Sequence, residues 1–481
     1  MKKLYLIASM LCSSLLSSAQ FSTATDIDDL ALIYIGSQHR PDWNKELFEP
    51  YVAHTYADGT KSWMFDGFLM IEFLAYNELG QQVSFGESVA SVQGSKRSDW
   101  ERLLREQLGT ESGYGCRALD NLIDDLIPEL GEPGHKHKVV FTLPVAEDKS
   151  DLWGEIDGKT LNFTRLEDRI EGMKWYADLL EREWNKAGFK HLEFDGVYWT
   201  CESFYSTNQK MVLDVNEYYH EKGLNVYWIP YLSRYLEDSY KGTDQYEDLK
   251  PTQAADKWEE MNIDVTYIQP NYYFQSYRSK KFLEDAINYA WDHDGMGMEL
   301  EFEGYNYGWT FDSNTKTGTR YRMTPGNCVL YGIYPTFYQR LVDYVDYFED
   351  MDVFGFMPVA YYSGFQGFYD LEKSGNPKDM EISHRIANIL NRRHVESGWD
   401  QEPRDVAGID DVTLENRVLA YGLDGAIYIA DAAGDASIYS LDGKLVYAAD
   451  AERLSFGATV ACEPGVYIVR VGSRSVKVSV K

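Results

Sequence analysis

The feature that most constrains the fold of this chain is a series of eight short apolar runs between residues 29 and 362. Amphipathic segments with helical spacing separate most of these runs, and the longest extends from Leu166 to Ala187. A strand followed by a helix, repeated about eight times, is the α/β pattern of a (β/α)8 TIM barrel. An open doubly wound sheet is the alternative, but no glycine-rich phosphate loop follows any run. The runs are 30–35, 63–71, 138–143, 192–199, 224–229, 263–268, 296–302 and 353–357.

The pattern changes after the barrel. Residues 380–393 predict a closing helix, and the polar stretch that follows is typical of a linker. Beyond Ile409 the chain has short strand-like runs with tight turns, among them the Asp-Gly pairs at Asp424 and Asp442, which favour two-residue hairpins. We therefore expect a barrel over 21–396 with an insertion at 77–118, a linker over 397–408 and a small C-terminal β-sandwich over 409–481.

The first residues have the pattern of a secretory signal peptide. Lys2 and Lys3 supply the positive end, Leu4 to Leu16 is apolar, and Ser17-Ser18-Ala19 offers small residues for cleavage. The apolar stretch is short for a membrane span. The sequence therefore predicts a signal peptide over 1–20 and an exported protein, located in the periplasm, at the cell surface or in the medium.

Charge and composition exclude several classes of function. The formal net charge of −31 argues against nucleic-acid binding and against an anionic membrane as partner. The histidines and the four cysteines beyond the signal lack metal-ligand spacing, and no His-Glu-x-x-His or Gly-x-Ser-x-Gly motif occurs. The sequence therefore predicts no metal and no cofactor, and no protein partner is evident.

Carboxylates at two strand ends indicate a chemistry. Glu299, Glu301 and Glu303 alternate along the seventh run, so they lie on one face of a strand, and Glu202 follows the fourth run. Two carboxyl groups that face each other cleave glycosidic bonds, at about 5–5.5 Å in retaining enzymes and about 6.5–9.5 Å in inverting ones. We expect Glu202 to be the acid/base and Glu301 the nucleophile, with Glu299 or Glu303 as alternatives. The structural alternative is that these glutamates pair with arginines of the barrel or lie on solvated loops.

Other side chains are expected to bind the sugar. Asp66 and Asp195 share a Phe-Asp-Gly motif and are expected either to bind a hydroxyl or to satisfy backbone inside the barrel. His39 and Arg40 follow the first strand, where they would bind hydroxyls or an acidic group or lie in a solvated loop. The remaining candidates would stack on the sugar, line the site or reach the nucleophile, and packing or a place in a turn is the alternative for them. They are Tyr198, Trp199, Trp228, Asn271, Tyr272, Glu303 and Tyr361.

Three resemblances to known families add to these expectations. The segments Leu32-Ile-Tyr-Ile-Gly36, Phe48-Glu-Pro-Tyr51 and 63–69 resemble the family called domain of unknown function 4855. The barrel is similar to the retaining glycoside hydrolases, which carry an acid/base glutamate after strand four and a nucleophilic glutamate at the end of strand seven; here Cys201 stands where those enzymes have asparagine. Residues 439–446, 464–471 and 476–481 resemble the C-terminal sorting domains of secreted Bacteroidetes proteins, which implies export and association with the cell surface.

These observations predict an exported glycoside hydrolase that acts on a poly- or oligosaccharide, and the resemblance implies the retaining mechanism. A non-catalytic surface glycan-binding protein on the same barrel is the main alternative. A polysaccharide enzyme of another reaction type, such as a lyase, is a third.

Overall fold

A computed structural model shows two compact units, Met1–Pro403 and Arg404–Lys481. The predicted signal peptide lies outside the described residues, as does most of the predicted linker. The structure describes residues 25–56, 58–77, 79–86, 92–202, 209–230, 258–274, 278–293, 295–303, 307–312, 317–322, 334–374, 377–400, 419–423, 426–430, 435–440, 443–449, 458–471 and 474–480.

Eight parallel strands form a closed barrel in which each strand pairs with its neighbours in chain order and the eighth pairs with the first. The predicted (β/α)8 barrel is therefore confirmed. The strands are β1 Asp29–Tyr34, β2 Gly67–Ile71, β3 His137–Leu143, β4 Leu192–Trp199, β5 Asn225–Trp228, β6 Val265–Ile268, β7 Met296–Glu301 and β8 Val359–Tyr362.

Helices follow most of the strands. The longest, Leu166–Ala187, ends at Gly188, whose φ of +62° is a left-handed conformation that glycine adopts without steric cost. A short 3-10 turn spans Glu259–Met261. The helices are α1 Lys45–Val52, α2 Arg97–Leu108, α3 Gly115–Leu130, α4 Leu166–Ala187, α5 Gln209–Glu221, α6 Lys280–Trp291, α7 Tyr334–Asp350, α8 Val353–Phe356, α9 Gly367–Lys373 and α10 Pro377–Ser397.

Short strands decorate the loops of the barrel. Within the described residues they form four small sheets: Ala53–Thr55 with Lys61–Trp63; Leu74–Tyr76 with Gln82–Ser84 and Gln93–Gly94; Gly154–Ile156 with Lys159–Leu161; and Tyr307–Asp312 with Thr317–Arg322.

Alternation along each strand separates two buried layers. In β1, Leu30 and Leu32 belong to the cluster inside the barrel, whereas Ala31 and Ile33 belong to the larger cluster between strands and helices. In β7, Met298 and Leu300 pack in the outer layer. The residues between them therefore face the barrel interior, and these include Glu299 and Glu301.

Two sequence predictions of the fold need correction. Residues 353–356 form the short helix α8, because Asp352 turns the chain with a φ of +56°, and the eighth strand is Val359–Tyr362 instead. The run 63–71 divides, since Trp63 ends a short hairpin strand and β2 begins only at Gly67. Residues 77–118 contain short strands and the helix α2, which packs Trp100 and Leu103 into the outer core, and their assignment as an insertion remains a prediction.

In its described part, the second unit contains two antiparallel sheets. One has the strands Leu419–Leu423, Ala426–Ala430 and Ala458–Ala461. The other has Leu445–Ala449, Ala436–Ser440, Gly465–Val471 and Arg474–Val480. Buried residues of both sheets, such as Ile427, Ile438 and Val469, form one hydrophobic cluster. Asp424 lies outside the described residues, and the β-sandwich and sorting-type assignments remain predictions.

Candidate active site

A cavity of about 420 Å³ lies where the strands of the barrel end. The residues that line it come from the carboxyl ends of β1, β4, β6, β7 and β8 and from the loops that follow them, which is where barrel enzymes place their active sites. Both Glu202 and Glu301, the two carboxylates expected to face each other, are in this lining. The lining consists of Tyr34, Glu202, Gln269, Asn271, Phe274, Glu301 and Tyr362.

Glu301 is the last residue of β7 and is almost fully buried, with 3% of its surface exposed. The Tyr344 hydroxyl on α7 donates a hydrogen bond to it, as do the backbone N–H groups of Asn271 and Tyr272. Burial raises the pKa of Glu301 to about 7, while these donors and the charge of Arg278 act in the opposite direction. Glu301 is thus a buried carboxyl group with several donors that favour its ionised form.

Glu299 lies one pleat deeper on the same face of β7. It is 1% exposed, and its Oε2 has no hydrogen-bond partner among the described residues. Burial, followed by the nearby charge of Glu301, raises the pKa of Glu299 well above its usual range, although the Gln269 side chain bonds to it. Burial therefore favours the protonated form of Glu299, in contrast to the ionised form that a nucleophile requires.

Glu202 follows β4 and is half-buried at the edge of the cavity. Its charge raises the pKa values of Tyr198 and Glu299, in both cases after burial as the larger cause, so Glu202 lies close to both residues. Tyr198 itself is inside the barrel, beneath the cavity, and is 2% exposed. Tyr198 therefore lies near Glu202, as expected, but it does not line the cavity.

Glu303 continues the series of glutamates beyond the end of β7. The Tyr362 hydroxyl donates a 3.0 Å hydrogen bond to its Oε1, and Oε2 has no partner in the described part of the chain. Burial raises the pKa of Glu303 to about 7. Gly364 packs against this side chain so closely that an added Cβ would lie 2.7 Å from the Glu303 Cγ. Glu303 thus borders the cavity through Tyr362 without lining it.

Arg40 is held by Glu72, a glutamate that the sequence patterns did not single out. Its guanidinium donates to both carboxylate oxygens of the fully buried Glu72, at 2.8 and 2.9 Å. The same group stacks on the rings of Tyr34 and Phe365. Arg40 therefore supports the cavity wall from behind, and its charge is matched by Glu72 rather than presented to a ligand.

His39 lies beside Arg40 but does not line the cavity. Its Nδ1 is 2.6 Å from the Ser37 hydroxyl, and its ring packs edge-on against Tyr76. Burial lowers the pKa of His39 to about 4, so the ring is neutral at physiological pH.

The turn after β6 contributes in an unexpected way. Asn271 lines the cavity, has a left-handed backbone with a φ of +51°, and carries a buried Oδ1 without a partner among the described residues. The side chain of Tyr272 instead lies outside the cavity lining, and its hydroxyl donates a 2.7 Å hydrogen bond to Asp343 on α7. Both residues do reach Glu301, as predicted, but through their backbone N–H groups.

Trp228 and Tyr361, which were expected to stack on a sugar, and Trp199, which was expected to line the site, are packing residues. Trp199, Trp228 and Tyr361 face the outer layer between strands and helices, and each is at most 1% exposed. The Trp199 indole donates to Asn216 on α5, and the Trp228 indole donates to the Cys201 carbonyl. The prediction was wrong because these residues occupy the outward positions of their strands.

Asp66 and Asp195 lie away from the cavity, near the amino ends of the strands. Asp66 precedes β2 and accepts the backbone N–H groups of Asp28 and Asp29, each at 2.8 Å. Asp195 sits at a β-bulge in β4, where it accepts from Asn225 at 3.0 Å and pairs with Lys138 at 3.5 Å. Asp66 and Asp195 therefore do not line the cavity. They bond to backbone and side-chain groups inside the barrel, which was the alternative expectation.

Several residues of the site were missed. Tyr34 ends β1, Gln269 directly follows β6, and Phe274 lies in the turn after β6. A polar or aromatic residue at the carboxyl end of an apolar run, or directly after it, is the signal that could have identified the first two, as it identified Glu301. Tyr344 lies in the middle of α7, where nothing in the helical pattern distinguishes it from a core residue.

Within the described part of the chain, no group of three or more His, Cys, Asp or Glu side chains is arranged to hold a metal ion. A search of the helices over the same residues finds none with the length and apolar character of a membrane span.

Comparison with solved structures finds barrels of low sequence identity. A family 18 chitinase from Crocus vernus is 10% identical with a TM-score of 0.33, over 74% of this chain and 99% of that chain. An α-amylase from Malbranchea cinnamomea is 12% identical with a TM-score of 0.34, over 92% and 96%. A chitinase from Chromobacterium violaceum is 9% identical with a TM-score of 0.32, over 74% and 98%.

Comparison with curated protein sequences finds no match. Comparison with protein families finds one: the family described as a domain of unknown function, DUF4855, matches residues 29–321. This range begins with β1 and continues past β7, so it includes both Glu202 and Glu301. The match spans more than half of the residues of this chain, and the chain therefore belongs to the DUF4855 family.

Proposed function

We propose that this protein is a glycoside hydrolase in which Glu202 is the general acid/base and Glu301 is the nucleophile. The observation that carries the proposal is that these two carboxyl groups, one after β4 and one at the end of β7, line the same cavity. Hydrolysis of a glycosidic bond needs one carboxyl group that donates a proton to the leaving oxygen and a second on the other side of the reacting carbon.

The surroundings of the two glutamates favour this division of roles. Glu301 receives hydrogen bonds from Tyr344, Asn271 and Tyr272, which stabilise a carboxylate and hold it in one orientation. Glu202 is half-buried at the edge of the cavity, where a carboxyl group can exchange protons with solvent between turnovers. In the first step Glu202 protonates the leaving oxygen as Glu301 bonds to the sugar. In the second step Glu202 takes a proton from water, and that water releases the sugar.

The retaining course follows from this assignment. A nucleophilic Glu301 inverts the anomeric carbon once and the water inverts it again, so the product keeps the configuration of the substrate. Proton NMR of the anomer released in the first minutes of reaction tests this point. Release of the opposite anomer would make Glu301 a general base that activates water.

The proposal is tested with the full chain on a panel of oligosaccharides and polysaccharides, with reducing ends and released sugars measured. Substitution Glu202→Gln should lower kcat about 10²–10⁴-fold, the usual contribution of a general acid. Glu301→Gln should remove turnover while sugar binding remains. The matched control is Glu193→Gln, since Glu193 lies near the start of β4, the strand that Glu202 follows, and is half exposed and paired with Lys138.

Two results would lead to other functions. Binding of a glycan without any turnover by the parent protein would make it a glycan-binding protein on a barrel scaffold. A product with a new carbon–carbon double bond would identify a lyase. Full activity of the Glu301→Gln variant would exclude the proposed nucleophile.

We also propose that the protein is exported. Support comes from the sequence, where Lys2 and Lys3 precede an apolar stretch and a small-residue cleavage site near Ala19. Fractionation of the source cells, with the N-terminus of the mature protein sequenced, tests this. Recovery in the cytoplasm with Met1 retained would contradict it.

A further inference from the structure

The polar groups around the cavity are mostly hydrogen-bond acceptors. Three buried oxygens at or beside it have no partner among the described residues: Asn271 Oδ1 in the lining, Glu299 Oε2 behind Gln269, and Glu303 Oε2 behind Tyr362. A buried acceptor without a donor loses the hydrogen bonds it would make in water, so Asn271 Oδ1, which can only accept, favours a ligand that donates, as does Glu303 when it is ionised. Glu299, whose protonated form is favoured by burial, can accept or donate. Sugar hydroxyls and ammonium groups donate, whereas carboxylate and sulfate groups only accept.

The charge of the lining points the same way. Among the described residues that line the cavity, the acids are Glu202 and Glu301, the others are neutral polar or aromatic, and none is a lysine, arginine or histidine. Glu299 and Glu303 add two more carboxyl groups directly behind these residues. An anionic substituent in this cavity would meet carboxyl groups without a cation in the described lining to offset them.

Two arginines lie behind the cavity wall, where the charge of Arg278 acts on Glu301 and that of Arg40 acts on Glu303. Arg40 makes a two-point ion pair with Glu72 and lies between the rings of Tyr34 and Phe365, so its charge is already neutralised behind the wall. Arg278 donates to the Pro270 carbonyl and stacks on Phe282. Neither is among the described residues that line the cavity.

We propose that the cavity selects sugars with hydroxyl or amine substituents and excludes sugars with carboxylate or sulfate groups, so that the substrate is a neutral or amine-bearing glycan. This inference deepens the proposed function and rests on it, because only an enzyme has a substrate. The preference for one bound sugar over another can nevertheless be measured without turnover. The formal net charge of −31 acts in the same direction, because it repels a polyanionic chain before it binds.

The experiment uses the full-length Glu202→Gln variant and sugar pairs that differ only at carbon six: glucose with glucuronic acid, galactose with galacturonic acid, and mannose with mannuronic acid. Glucosamine is added as the amine-bearing probe. Binding is measured by saturation-transfer NMR and calorimetry, and the parent protein is assayed in parallel on neutral, amine-bearing and acidic polysaccharides. We expect the neutral member of at least one pair to bind about tenfold or more tightly than its uronic acid.

A second variant tests the cause. Glu303→Gln replaces a carboxyl group beside Tyr362 with an amide that can donate, so the preference for the neutral sugar should become smaller. The control Glu193→Gln removes the same charge at a site far along β4 and should leave the preference unchanged.

The outcomes separate this inference from the proposed function. Equal or tighter binding of a uronic acid, or cleavage of an acidic polysaccharide, overturns the inference and leaves a glycoside hydrolase in place. Selective binding of neutral sugars without cleavage of any glycan supports the inference and overturns the hydrolase. Absence of both binding and cleavage overturns both.

Discussion

The Tyr344 hydroxyl, carried by the helix that follows β7, donates a hydrogen bond to the Glu301 carboxylate at the end of that strand. The same hydroxyl accepts the backbone N–H of Tyr272 at 3.3 Å, so it links the turn after β6 to the proposed nucleophile. Asp343, the neighbour of Tyr344, accepts from the Tyr272 hydroxyl, and the Arg340 guanidinium donates to the Tyr272 carbonyl. Glu301 is thus oriented from one side by α7 and a turn that are bonded to each other.

Substitution Tyr344→Phe should move the pH profile. The hydrogen bond to Glu301 favours the ionised form, so its removal raises a pKa that burial has already brought to about 7. Because the nucleophile must be ionised, the acidic limb of kcat/KM should shift to higher pH by about one to two units, as expected for a hydrogen bond to a charged group. The control is Tyr347→Phe on the same helix. An acidic limb that stays in place would mean that Tyr344 serves packing alone.

The choice between Glu301 and Glu299 can be tested in the same assay. Burial and the charge of Glu301 raise the pKa of Glu299 and so favour its protonated form, which is a poor nucleophile. Glu299→Gln keeps the shape of the side chain and is neutral like the protonated form, so kcat should fall less than in Glu301→Gln. Trapping with a fluorinated sugar, followed by peptide mass spectrometry, identifies the residue that forms the covalent bond. A label on Glu299 would reverse the assignment.

Much of the site was predictable because it depends on strand order and on the two-residue period of a strand. Counting apolar runs placed Glu202 after β4 and Glu301 on β7, and alternation placed Glu299 on the same face. The eighth strand was assigned six residues too early, since a short apolar run does not distinguish a strand from a helical turn. The register of the adjacent Tyr361 and Tyr362 was therefore open, and it is Tyr362 that lines the cavity.

The rest of the site depends on contacts between segments that are distant in sequence. Glu72 follows β2 and Arg40 follows β1, and only the pairing of these neighbouring strands brings the two side chains together. The Phe-Asp-Gly motif of Asp66 was misleading for a related reason. Its strand begins after the aspartate, at Gly67, so the carboxylate is at the amino end of β2 and opposite the cavity.

Aromatic residues of the lining and of the outer layer should respond oppositely to truncation. Trp199→Ala should lower the free energy of unfolding by about 3–5 kcal/mol, because Trp199 is 1% exposed in the outer core. Phe274→Ala should instead weaken sugar binding by about 1 kcal/mol with little loss of stability, since Phe274 is half-buried in the lining. Denaturant unfolding and calorimetric titration measure the two effects. Weaker sugar binding by folded Trp199→Ala would restore its predicted role in lining the site.

A buried ion pair at the amino ends of the strands should stabilise the folded protein without affecting the candidate active site. Arg393 on α10 pairs with Asp29 at 2.9 Å and also donates to the carbonyls of Asp28 and Met357, and both charged groups are almost fully buried. Arg393→Met would leave the buried Asp29 charge without its arginine, although His394 and the Tyr361 hydroxyl remain in contact with it, and the loss of a buried ion-pair partner costs about 3–5 kcal/mol. The adjacent Arg392 is a matched control, because it is 57% exposed and its pair with Glu349 is at the surface.

Arg392→Met should therefore change the free energy of unfolding by about 0.5 kcal/mol or less.

The pH dependence of stability adds a second test of the pair between Arg393 and Asp29. Burial raises the pKa of Asp29, but the charge of Arg393 and the bond to His394 outweigh it, so the net pKa lies below the usual range. A lowered pKa in the folded state gives stability that is present at neutral pH and is lost as the pH falls through that pKa. The difference in the free energy of unfolding between the parent protein and Arg393→Met should accordingly become smaller as the pH falls through the pKa of Asp29, and a difference that does not change with pH would show that the charge pair is not its cause.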